Sequence, residues 1–180
     1  MCSSDLSTER ALSGPEDIDA LIESCKAQPQ EWITSFSATW SELLGVRCPV
    51  ERQVVTWDEV REMSAAGISF GSHSVSHRIL PALSTEEIQL EAVESWETLS
   101  RQSVRAVPVF CYPNGDRSDE VERCVAAAGY RAATTTQFGY ESAKPTDRFR
   151  LKRINMHHDV TCTDELFAFH LAGFNHRGRG

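Results

Sequence analysis

Apolar residues recur along this chain in two rhythms, one of helical spacing and one of short continuous runs. In the first fifty residues only the helical rhythm is present. Ile18, Leu21 and Ile22 fall on one face of a predicted helix from Pro15 to Gln28, and Pro29 interrupts it. Trp32, Ile33, Phe36, Trp40, Leu43 and Leu44 fall on one side of a second, from Gln30 to Leu44, which Gly45 ends. Such a helical pair implies packing rather than chemistry. After residue 50 the two rhythms alternate. Thr56 caps a predicted helix through Trp57, Val60 and Met63 to Ala66, and Gly67 terminates it. A strand follows over Ile68–Ser72. Ser84 and Glu87 have the spacing of a capping box, opening a long helix through Ile88, Leu90, Val93, Trp96 and Leu99. Val107–Tyr112 reads as an apolar strand, Pro113-Asn114-Gly115 as a sharp turn, and Ser118 as the cap of a helix over Asp119–Ala128. Strands are predicted over Arg131–Thr136 and Leu151–Met156, and Thr163 caps a last helix, Asp164–Ala172.

Strand and helix in alternation imply parallel strands joined by crossover helices, an α/β sheet or barrel. Chemistry in such folds sits on the loops at the C-terminal ends of the strands. Three polar groups fall there: His73 and His77 after the first strand, Tyr112 to Asp116 after the second, and His157 to Asp159 after the fourth. The organisation expected is a helical N-terminal segment over 1–50, an α/β domain over 51–175 and a tail over 176–180.

With 180 residues, 41% hydrophobic and 24% charged, the chain can bury a core. A net charge of −8 disfavours nucleic acid, which needs a basic face. No apolar run approaches the roughly 20 residues that span a bilayer. Residues 1–13 lack the pattern of a signal peptide, so the sequence assigns no compartment. The six cysteines, Cys2, Cys25, Cys48, Cys111, Cys124 and Cys162, contain no C-x-x-C pair and read as reduced, small apolar residues.

The stretch Gly71-Ser72-His73-Ser74-Val75-Ser76-His77 carries two histidines four apart, leaving a strand. Both imidazoles can turn to one ion, but two ligands do not hold zinc firmly; a third is required, with water in the open position. Ser74 stands where a metalloprotease would carry its glutamate. Taken alone, such a pair is a weak signal and is more often two ordinary loop histidines.

The surrounding residues change that weighting. Thr56-Trp57-Asp58-Glu59-Val60-Arg61-Glu62-Met63, then Ala66-Gly67-Ile68-Ser69-Phe70-Gly71-Ser72-His73-Ser74-Val75-Ser76-His77, with Leu80 and Leu83-Ser84, closely resembles the NodB-type polysaccharide deacetylases, carbohydrate esterase family four. Their second motif, H-S/T-x-x-H, stands at this place. Phe110-Cys111-Tyr112-Pro113-Asn114-Gly115 is similar to the F-x-Y-P-x-G form of their third motif, and Arg153-Ile154-Asn155-Met156-His157-His158-Asp159 resembles the last. The resemblance spans roughly residues 50–175. It implies a divalent metal, commonly zinc, held by His73 and His77 and activating a water that attacks an N-acetyl group on a polysaccharide or oligosaccharide amino sugar. It also implies a groove lined by Tyr112, Pro113 and Gly115, with the Asn114 N–H as an oxyanion donor. His157 is implied as general acid, with His158 as the alternative and Asp159 orienting whichever acts. His170 and His176 receive no role.

The family's first motif, T-F-D-D, supplies the catalytic base and an aspartate ligand, and nothing here matches it. Asp17 and Asp19 lie in a helix pattern without the preceding T-F, and Asp5 lies in the N-terminal stretch. Four strands are read where a closed barrel of this kind has seven or eight. The implied fold is a partial (β/α) barrel lacking its first one or two βα units, and a chain in that form binds metal weakly and hydrolyses little. Cys111 also stands near the place of an arginine that supports the aspartate in many relatives. A noncatalytic carbohydrate-binding remnant and a metal hydrolase with another substrate remain open beside the deacetylase.

Overall fold

Hydroxyl caps start the helices of the larger part of this molecule. The computed structural model describes residues 14–26, 28–45, 54–156 and 161–173. The chain divides into two compact units, Met1–Glu51 and Arg52–Gly180.

The first unit holds α1 (Pro15–Lys26) and α2 (Gln30–Leu43). Pro29 occupies the N-cap position of α2, and its carbonyl accepts from Ile33 N at 3.1 Å. Trp32 stacks on Phe36 with centroids 4.7 Å apart, and Phe36 meets Trp40 at 5.9 Å, the contact expected between residues four apart on a helix. The apolar side read from the sequence is thus an aromatic ladder along one helix. Its lower end is not covered within the unit: Leu43 is 72% exposed.

In the second unit, α3 (Trp57–Ala65) and α4 (Thr85–Arg101) both begin with reciprocal capping boxes. Ser84 Oγ accepts from Glu87 N at 3.3 Å while the Glu87 carboxylate accepts from Ser84 N at 2.9 Å. Thr56 and Glu59 repeat the arrangement. Ser118 caps α5 (Asp119–Ala127), and Thr163 caps α6 (Asp164–Leu171). Each hydroxyl satisfies one N–H that the first turn leaves without a partner.

Between these helices run β1 (Phe70–Ser72), β2 (Ala106–Cys111), β3 (Ala132–Phe138) and β4 (Leu151–Arg153), in that spatial order and all parallel. The result is the parallel α/β sheet the alternation implied, consistent with the partial barrel the resemblance implied, with β1 starting two residues later and β4 ending three residues earlier than the apolar runs suggested. In the register Phe110 lies opposite Ala133, and Ser72 opposite Phe110. Alternation of side chains therefore sends Ser72, Phe110 and Ala133 to one face and Cys111 and Thr134 to the other.

The first of these faces is the core. Phe110 and Ala133 are buried with Leu80, Ile88, Ala92, Val121, Cys124, Val125 and Tyr130. The Phe110 ring meets Tyr130 edge-on at 5.1 Å, and Tyr130 Oη donates to the Ala92 carbonyl at 3.1 Å, so the ring is apolar inside and satisfied at its polar tip. Complete burial of Phe110 contributes about 1.5–3 kcal/mol. On α4 the buried stripe is Ile88, Ala92, Ser95 and Leu99. Leu90, 56% exposed, and Val93 point away from it. The opposite sheet face is more polar, with Cys111 Sγ and Thr134 Oγ1 2.7 Å apart. Among the described residues Cys25, Cys111, Cys124 and Cys162 are free thiols; Cys124 is buried, whereas Cys162 is exposed rather than packed as a small apolar residue.

Candidate functional site

β1 ends at Ser72, and the next five residues carry both candidate ligands. The His73 and His77 rings face each other edge-on, with centroids 4.7 Å apart. His73 Nδ1 lies 2.8 Å from the Cys111 carbonyl at the end of β2. An imidazole bonded to a carbonyl through Nδ1–H leaves Nε2 as its basic nitrogen, the arrangement that presents a histidine to a metal. That bond also joins the two sequence motifs, since Cys111 belongs to the segment leading into Pro113-Asn114-Gly115.

The loop is shaped by its own hydroxyls and by α4. Ser74 and His77 both take left-handed backbone angles, φ 64° and 58°. This is unusual for residues with a side chain. Ser74 Oγ accepts from His77 N at 3.0 Å and closes the turn between the histidines. Glu91, on α4, accepts from Val75 N at 2.7 Å and Ser76 N at 3.0 Å through one carboxylate oxygen, and from the Ser76 hydroxyl through the other. Arg78 pairs with Glu87 at 2.9 Å. The Ser84 backbone N–H first, and then Arg78, hold the Glu87 carboxyl at about 2, well below its usual range. A pocket of about 270 Å³ opens beside His73, walled by Trp57, Gly71, Ser72, Ser95 and Leu99.

The third-motif turn is fixed from behind. Asn114 adopts φ 56° and Gly115 φ 83°. A Cβ on Gly115 would lie 2.2 Å from Thr136 Oγ1 and 2.8 Å from Thr136 N, so only glycine fits. Thr136 Oγ1 donates to the Asn114 carbonyl at 3.3 Å, and Asn114 Nδ2 donates to Asp116 at 2.9 Å. The side chains of Tyr112 and Pro113 are buried. Burial raises the Tyr112 phenol above its ordinary range, and Glu122 adds to this, so the ring is a core element rather than a proton donor to solvent. Asn114 is exposed and Gly115 half-buried, and they are the parts of the turn that reach the surface.

His157, His158 and Asp159 lie outside the described residues. What leads to them is placed: His170, given no role from the sequence, is buried on α6, with Nε2 2.6 Å from the Asn155 carbonyl and its ring edge-on to Phe138 at 5.8 Å. It ties α6 to the exit of β4, two residues before His157. No spacing rule could have shown this, because the partner is a backbone carbonyl. Glu91 was missed for a related reason, as one of several glutamates on a polar helix face.

The donor chemistry suits a metal in part. Two imidazoles meet at the C-terminal rim, and one is oriented through its Nδ1. Among the described residues, no group of three or more His, Cys, Asp or Glu side chains converges on a possible metal position. Were a metal to bind here, the pair could supply two ligands, and any third would have to come from elsewhere.

The fold agrees with what comparison with known proteins finds. The family model for polysaccharide deacetylase matches residues 31–133, more than half of the chain, and the chain belongs to that family. The match begins within α2 and ends in β3, so β4 and the last histidine motif lie beyond it. Among solved structures, the deacetylase PplD of Streptococcus pyogenes, determined with acetate bound, is similar at a TM-score of 0.54 and 27% identity, over 59% of this chain and 46% of that one. A polysaccharide deacetylase from Bacillus cereus is similar at 0.56 and 29% identity, over 66% of this chain and 37% of that one. The Bacillus subtilis protein YxkH, whose name assigns it provisionally to the same class, is 27% identical over 88 residues, 49% of this chain and 32% of its own length. The chain thus spans less than half the length of these relatives.

Proposed function

We propose that this chain carries the histidine side of a metal-dependent N-deacetylase site acting on an N-acetylated polysaccharide or oligosaccharide. The observation that carries the reading is the bond from His73 to the Cys111 carbonyl. It ties one imidazole of an adjacent pair to the end of β2, two residues before the turn Pro113-Asn114-Gly115. His73 and His77 would hold a divalent ion, for which zinc is the natural candidate for two neutral imidazoles. When bound, such an ion supplies Lewis acidity toward a carbonyl and its attacking water.

The chain's own residues divide the remaining work. His73 keeps Nδ1 engaged and leaves Nε2 as its basic nitrogen. Ser74 closes the turn that brings His77 back beside it. Asn114 offers its backbone N–H at an exposed turn that Thr136 and Gly115 hold rigid, as a donor to a developing oxyanion. His157 is the proposed acid for the departing amine, with His158 as the alternative. Tyr112 and Pro113 support the turn from the core. Among the described residues no Asp or Glu joins the two histidines in a group that could hold a metal ion, and Glu91, the carboxylate bound to their loop, is taken up by Val75 and Ser76, so this chain alone is proposed to hydrolyse slowly. The same observation supports a second reading, a carbohydrate-binding remnant without catalysis.

Acetate release from N-acetylglucosamine oligomers, measured with added zinc, separates the two. Slow release that is abolished by His73→Ala supports the deacetylase. Oligomer binding with no release, unchanged by that substitution, supports the remnant.

A further inference from the structure

The two histidines are held by different parts of the protein. His73 is anchored to β2 through Cys111. His77 follows a segment whose backbone N–H groups at Val75 and Ser76, and the Ser76 hydroxyl, all point at the Glu91 carboxylate. We propose that Glu91 is the positioning residue that sets the spacing of the His73–His77 pair, acting through the backbone between them. The proposal rests on reading the pair as metal ligands.

The geometry accounts for why a carboxylate is needed there. The loop is exposed at His73, Val75, Ser76 and His77, so packing does not hold it. Two of its residues occupy the left-handed region, a conformation that persists only when surrounding bonds impose it. Glu91 offers two acceptor oxygens to three donors and has no donor of its own to oppose them. It is half-buried and sits on α4 between Ile88 and Ala92, both in the core. Core packing thus fixes α4, α4 fixes the carboxylate, and the carboxylate fixes the turn that delivers His77. The capping glutamate, Glu87, grips Arg78 just beyond, so the same helix holds the loop at two points.

Glu91→Gln tests this in the full chain, because the amide brings donors toward N–H groups and removes one acceptor. Two readouts are taken: zinc affinity by competition with a chelating dye, and the proton cross-relaxation between the His73 and His77 rings in metal-free protein. The expected result is an affinity loss of roughly 10–100-fold and loss of the ring-to-ring signal, with the Phe110–Tyr130 contact in the core unchanged. Wild-type affinity together with an intact ring-to-ring signal in Glu91→Gln would overturn the proposal. If wild type binds no zinc while Glu91→Gln still separates the rings, the metal reading fails and the positioning role of Glu91 stands. Should Glu91→Gln not fold, Ser76→Ala removes only the hydroxyl donor. A several-fold affinity loss there supports the proposal, and an unchanged affinity overturns it.

Discussion

Replacing Gly115 with alanine tests how rigidly the third-motif turn is welded to the sheet. Two costs are read from the structure. The backbone sits at φ 83°, where a side chain costs about 1–2 kcal/mol. The new Cβ would also meet Thr136, 2.2 Å from Oγ1 and 2.8 Å from the backbone nitrogen. A threonine hydroxyl can rotate aside, but a strand nitrogen cannot, and forced overlap in a packed site costs about 1–3 kcal/mol more. Gly129 supplies the control: its φ is 95°, and a Cβ there would meet nothing within 4 Å. Gly129→Ala should therefore lose the first amount only. For a chain of this size 1 kcal/mol corresponds to about 2–4 °C in Tm, so Gly115→Ala should melt roughly 2–12 °C below Gly129→Ala. Circular dichroism melts of both variants against wild type measure the difference. Equal melting points would mean that the turn relaxes freely and that Thr136 does not hold it.

Further outcomes follow from other contacts. Ser84→Ala removes the hydroxyl half of the α4 capping box and should cost about 1 kcal/mol in urea unfolding, whereas Thr98→Ala in the body of the same helix should cost little. Glu122 accepts from Arg117 and Arg150, joining the loop after β2 to the segment before β4, and its side chain is only 13% exposed. Glu122→Ala leaves two arginines without this partner and should cost about 1–3 kcal/mol by the same assay; a loss within error would show the network to be solvated. Glu87 titrates at about 2 in the folded chain against the ordinary 4.5. A lowered folded value stabilises above the unfolded pKa and is lost as pH falls through the folded one. The advantage of wild type over Glu87→Gln should thus be full above about 4.5 and shrink toward 2, and an advantage constant across that window would contradict the assignment.

Most of the fold was legible because its signals are local. Thr56 with Glu59, Ser84 with Glu87, Ser118 and Thr163 each announce a helix start through bonds that span three residues, and each bond is formed. Gly67, Gly129 and Gly173 mark stops for the same reason. Strand edges were less legible, since β1 begins and β4 ends where pairing with a neighbour begins and ends, and pairing is not local. On α4 the apolar pattern mixed two faces: Leu90 and Val93 lie off the stripe, while Ala92 and Ser95, small and unremarkable in sequence, sit at the contact with the sheet. At the site, His73 and His77 were visible as residue types, but what orients them was not. A backbone carbonyl at Cys111 and a glutamate fourteen residues beyond His77 leave no spacing to read.

Metal binding by the full chain tests the assignment of His73 and His77 most directly. Titration with zinc, followed by calorimetry on wild type, His73→Ala and His77→Ala, should show one ion bound per wild-type chain and a large loss of affinity in both variants. Equal affinity in all three would show that the paired imidazoles are not the ligands.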